Sequence, residues 1–149
     1  MINKNISIIK NSSLVIMILS VLGAISSVSA GVWYYNNTKS CENMKNILAK
    51  NIVSYCLYAA ILILAALIFF RIFRSGRPFT RGNVWAVRGI AGVFFVKAML
   101  PTFFQLSELG ILKTGVMGTG SIFIAVLFLF FAEIMRYGNL LQTESDETL

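Results

Sequence analysis

"NIVSYCLYAAILILAALIFF", Asn51 to Phe70, decides the class of this chain: 20 uncharged residues bracketed by Lys50 and Arg71. At a rise of 1.5 Å per residue, a helix of about 20 residues crosses the ~30 Å hydrocarbon layer of a bilayer. Three other stretches read the same way. "LVIMILSVLGAISSVSAGVWYY" (Leu14–Tyr35) carries no charge, and neither does "TGVMGTGSIFIAVLFLFFA" between Lys113 and Glu133. Asn83–Leu106 is as long, but Arg88, Lys97 and Pro101 interrupt it. The runs predict helices over about 12–36, 50–71, 84–107 and 115–137, with a short acidic tail over about 138–149. The expected fold is an all-α, integral-membrane four-helix bundle forming one domain.

Composition agrees. Of the 149 residues, 57% are hydrophobic and 13% charged, against about 45–50% and 25% in a soluble domain. The first run follows Lys4 and Lys10, and "VSA" at Val28–Ala30 resembles a signal-peptide cleavage site. Its apolar stretch continues through Trp33, Tyr34 and Tyr35. That is too long for a signal segment and ends in an interfacial aromatic cluster, so it is expected to stay as a helix.

The net charge of +7 would suggest a nucleic-acid partner in a soluble protein. Here the basic residues cluster between apolar runs, in particular in "RIFRSGRPFTRGN" (Arg71–Asn83), with Arg71, Arg74, Arg77 and Arg81. Seven Lys and Arg residues belong to the N-terminus, this loop and Arg136, against four in the other two loops. The positive-inside rule then predicts both termini on the cytoplasmic side of the membrane. No helix-turn-helix, finger or aromatic-interleaved surface accompanies the arginines, so direct nucleic-acid binding is not expected. The arginines are first of all a topology signal, and binding of an anionic headgroup or an acidic protein segment stays open.

The chain has no His, and its two cysteines, Cys41 and Cys56, are too few for a disulfide framework. Both are expected as free thiols. No metal or cofactor pattern is present, and no acid–base arrangement suits a catalytic nucleophile. Gly115, Gly118 and Gly120 of "TGVMGTGS" lack the strand and lysine of a phosphate loop. The chain is not expected to be an enzyme.

Charges inside apolar runs are costly and mark places to look. Lys97 lies mid-run, and Pro101 removes the N–H that would have bonded its carbonyl. Together they either line a polar site, as in a small transporter or a protector against a membrane-active compound, or the lysine snorkels to headgroups. Arg88 and Glu133 lie ~7 and ~6 Å from the inner boundary at 1.5 Å per residue. They are matched for pairing across helices, while Glu133 and Arg136 are spaced i, i+3 for a local pair. Spacing alone leaves both open. Gly23, Ser27 and Gly31 share one helix face, which fits close packing within the bundle or between copies in a homo-oligomer.

Two segments carry a resemblance: "GRPFTRGNVWAVRGIAGVFF" (Gly76–Phe95), with Pro78, Phe79, Thr80 and Asn83, and "AEIMRYGNLLQTESDETL" (Ala132–Leu149), with Glu133, Gly138, Leu141 and the acidic end. They resemble the small bacterial membrane proteins grouped as domain of unknown function 2975. That resemblance implies four membrane helices, no assigned chemistry, and a common neighbourhood with a small Cro/Xre-type repressor. It therefore implies a membrane component of a regulatory pair acting through a cytoplasmic partner. The residues facing such a partner would be Arg74, Arg77, Pro78, Phe79 and Arg81 in the loop, with Glu144, Asp146 and Glu147 in the tail. The tail itself is too polar to enter lipid and too short to fold alone.

Overall fold

The computed structural model describes residues 2–38, 45–109 and 119–147, with side chains described over 7–38, 47–100 and 120–147. All of the described elements are helices: α1 (Ile2–Thr38), α2 (Lys45–Ser75), α3 (Arg81–Leu109) and α4 (Thr119–Glu147). Each contains a span long and apolar enough to cross a membrane: Ser7–Thr38, Ile47–Ser75, Arg81–Leu100 and Gly120–Glu147. This is a multi-pass, all-α membrane architecture.

The helices outrun the apolar stretches because bilayer thickness does not stop a helix; a break in backbone hydrogen bonding does. At the N-terminus Ser12 and Ser13 look like a polar flank, yet α1 starts at Ile2. The Ser13 hydroxyl donates to the Ile9 carbonyl at 2.7 Å, so the polar group is satisfied inside the helix. Helix α2 runs on to Ser75 and stops at Gly76, whose φ of 69° suits glycine; its N–H closes the helix on Ile72 O at 2.7 Å. Thr80 caps α3. Its hydroxyl accepts from the Asn83 N–H at 3.3 Å, and its carbonyl accepts from Val84 N–H at 3.1 Å.

The tail differs most from expectation. Residues 138–147 are not a separate flank but the last turns of α4. "NLLQTESDE" contains no proline or glycine and several good helix formers, so the membrane helix propagates through it.

Consecutive helices pack antiparallel: α1 on α2, α2 on α3, α3 on α4. Two kinds of contact hold them. Between α1 and α2 the small residues meet their partner: a Cβ on Gly23 would lie 3.2 Å from Leu62 Cδ1, and one on Gly31 3.3 Å from Tyr55 Cβ. Ser27 between them donates to the Tyr55 carbonyl at 3.1 Å. The small-residue face is thus taken up within the chain, as close backbone approach requires. The second region is an apolar cluster of Ile68 and Ile72 (α2), Val84, Ala86, Val87 and Ile90 (α3) and Ala132 (α4). Phe94 and Phe128 stack beside it with centroids 5.7 Å apart. Large apolar side chains such as Leu19, Phe123 and Phe130 point outward and are more than 60% exposed. Lipid tails make that placement favourable, since they are as apolar as the side chains they meet.

Candidate functional site at the arginine-rich end of the bundle

The α2–α3 turn and the last turns of α4 occupy the same end of the bundle, and specific contacts fasten them together. Arg71, at the end of α2, donates through Nη1 to the Gly82 carbonyl at 2.8 Å, tying α2 to the first turn of α3. Ser75 accepts from the Arg77 N–H at 3.1 Å and itself donates to Arg71 O at 2.7 Å, which shapes the turn. Asn83 is fully buried. Its Nδ2 donates to the Pro78 carbonyl at 3.0 Å, while its Oδ1 has no hydrogen-bond partner among the described residues. A buried amide of this kind fixes the path of the Pro78-Phe79-Thr80 segment, because moving it would leave further polar groups unpaired.

The segment then reaches α4. The Phe79 ring lies on Gly138, where a Cβ would come within 3.0 Å of Cγ. Farther along, Arg77 Nη1 meets Asp146 Oδ2 at 3.0 Å, with both side chains more than half exposed. The structure therefore brings together Arg77, Pro78, Phe79 and Asp146 of the sequence-derived set. Arg74, Glu144 and Glu147 are exposed at the same end. Arg74 makes no ion pair among the described residues.

One layer deeper, both open pairings of Glu133 exist at once. Oε1 accepts from Arg88 Nη2 at 2.5 Å and Oε2 accepts from Arg136 Nε at 2.9 Å. A carboxylate has two oxygens and can serve both. Arg88 also lies 5.4 Å from the Trp85 ring centroid, a cation–π contact on its own helix. Between α3 and α4 these side chains edge a recess of about 340 Å³, lined by Arg81, Trp85, Arg88, Arg136, Asn139 and Leu140.

Lys97 stands apart from this end. Its Nζ donates to the Tyr58 hydroxyl of α2 and lies 3.7 Å from that ring's centroid. Among the described residues the mid-run lysine is thus met by a phenol, not a carboxylate. Pro101 falls within α3, but its side chain is outside the described residues, as are Cys41 and Gly115. Cys56 is a free, exposed thiol. No cluster of three or more His, Cys, Asp or Glu residues suited to a metal occurs among the described residues.

Sequence reasoning did not find the Phe79–Gly138 contact, the burial of Asn83, Trp85 or the Tyr58 partner of Lys97. Trp85 and Arg88 at i, i+3 were the one readable sign, since that spacing places them on one face. The others depend on which helix lies beside which.

Comparison with known proteins adds a family and no chemistry. No curated protein and no solved structure matches the chain. The sequence profile described as "Protein of unknown function (DUF2975)" matches residues 13–149, nearly the whole of it. The match begins within α1 and takes in α2, α3, α4 and the arginine-rich end built above, and the chain belongs to the DUF2975 family.

Proposed function

We propose that this chain is a bacterial inner-membrane protein with both termini in the cytoplasm that regulates through a cytoplasmic protein partner, not by catalysis. The observation that carries this reading is the joining of the Arg71–Asn83 turn to the far end of α4, through Phe79 on Gly138 and Arg77 on Asp146. Two segments distant in sequence make one surface, basic on one side and acidic on the other. The exposed pair at its edge is worth only about 0–1 kcal/mol and is weakened by salt. A partner offering complementary charge can therefore compete for it cheaply. A Cro/Xre-type repressor, implied by the family resemblance, is a partner of the required kind.

The test is capture of cytosolic proteins by full-length protein in membranes, comparing the intact chain with Arg74→Gln/Arg77→Gln and with Asp146→Asn. The reading expects a defined cytosolic protein to be retained by the intact chain and released by the substitutions, with altered expression of the operon. The same partners for all three, or none, would count against it. Orientation is checked separately. A membrane-impermeant thiol reagent should label Cys41 in intact cells, and labelling only after lysis would reverse the assignment.

A further inference from the structure

We propose that the recess between α3 and α4 at the arginine-rich end is a binding site for a phosphate-bearing anion, filled in the membrane by the headgroup of an anionic phospholipid. This stands apart from the regulatory reading and rests on the recess itself.

Arg81, Trp85 and Arg88 recur at i, i+4 and i+7, so two helical turns of α3 present them along one stripe. Arg136 and Asn139 of α4 face them across about 340 Å³ of open space. Three guanidinium groups border this volume, and Glu133 is the single carboxylate bonded to any of them among the described residues. Two positive charges are left over. Arg88 and Arg136 each give one nitrogen to Glu133, but a guanidinium carries five N–H donors in a planar fork. Glu133 thus orients both forks while leaving donors unspent. Arg81, at the mouth, is exposed and makes no ion pair among the described residues.

A stability role does not call for this arrangement. One arginine would neutralise Glu133, and a second and third near the membrane surface add repulsion. The surplus is what a doubly hydrogen-bonded phosphate oxygen set would neutralise, and Arg forks match phosphate geometry better than any other side chain. Basic recesses between membrane helices on the cytoplasmic side hold anionic headgroups. The apolar walls favour a lipid over a free ion. Trp85, 63% exposed, offers an interfacial indole beside the headgroup.

The test uses purified full-length protein in nanodiscs of equimolar phosphatidylglycerol and phosphatidylcholine, with retained lipid identified after detergent transfer by native mass spectrometry. Phosphatidylglycerol should be retained selectively over phosphatidylcholine. Arg81→Gln should weaken that retention about tenfold, the size of one charge-assisted contact. Arg136→Lys, which keeps the charge but loses the fork, should weaken it as well. Circular dichroism and thermal midpoint of Arg81→Gln should match the parent, since Arg81 is outside the internal pairs. A second arm adds inorganic phosphate to lipid-stripped protein. Arg81-dependent thermal protection by phosphate equal to that by phosphatidylglycerol would keep the anion site but assign it to the free ion. Equal retention of both lipids without phosphate protection, or retention of phosphatidylglycerol unchanged in both variants, would overturn the proposal.

Discussion

The ring of Phe79 lies flat enough on Gly138 that a Cβ there would sit 3.0 to 3.3 Å from three ring carbons. This contact joins the α2–α3 turn to α4, 59 residues later in the chain. Alanine at 138 gives competing effects, since a helical glycine costs about 1 kcal/mol relative to alanine while the ring must shift slightly. Leucine does not. Gly138→Leu should lower stability by about 1–3 kcal/mol, as overpacking does, and Phe79→Ala in the same chain should recover part of that loss. A thermal double-mutant cycle in detergent checks it; strictly additive effects would mean the two side chains do not meet.

The charges on Glu133 make a second case. Arg88 is the less exposed of its two partners, 30% against 64% for Arg136. Losing Arg88 should therefore lower the folded yield more than losing Arg136, because water and headgroups replace the latter's contact more readily. Glu133→Arg should be worse than either, placing three arginines together. Adding Arg88→Glu should restore only part of the yield, since Arg136 still lacks its carboxylate. Yield of monodisperse protein after membrane extraction is the measurement; no recovery in the double variant would separate Arg88 from Glu133.

How much of this was legible beforehand follows from what each signal encodes. The length and apolarity of Asn51–Phe70 state that it spans a bilayer, because the hydrocarbon thickness is fixed. Depth counted along antiparallel helices made Arg88 and Glu133 candidates for pairing. It failed to show that Arg136 shares the carboxylate, since a one-partner picture ignores the second oxygen. Gly23, Ser27 and Gly31 announced a close approach, but a periodic face names no neighbour, and Tyr55 and Leu62 emerged only from the fold. The acidic end of α4 misled for the opposite reason. Polar composition marks where lipid ends, and a helix can continue into water past that point. Asn83 lies in a segment that looks like a solvated turn, yet in the fold it is fully buried and bonded to the Pro78 carbonyl.

Helix α1 is attached through its small residues, so enlarging one should loosen it. Gly31→Leu would drive a branched side chain into Tyr55, at a cost of about 1–3 kcal/mol. Gly92 supplies the control. Nothing lies within 4 Å of a Cβ built there, so Gly92→Ala should be neutral or stabilising by up to about 1 kcal/mol through helix propensity. Thermal unfolding followed by circular dichroism distinguishes the two; equal effects would mean that α1 does not rest on Tyr55 in the folded protein.

The pair between Arg77 and Asp146 tests whether the end of α4 contributes to holding the bundle together. Both side chains are more than half exposed, so solvent and salt screen their attraction, and about 0–1 kcal/mol is the most it supplies. The apolar cluster around Ile68, Val87 and Ala132 lies elsewhere and does not involve either residue. Arg77→Gln and Asp146→Asn should each shift the thermal midpoint little, and the shift should vanish at high salt. Deleting Leu141–Leu149 should behave the same way, because Gly138 and the Phe79 ring it receives are retained. A large loss of stability on that deletion would show that the last turns of α4 brace the turn, and would remove the reason for treating them as a surface kept for a partner. Unchanged stability together with lost partner capture would place the function of these residues in recognition, since folding would then be indifferent to them.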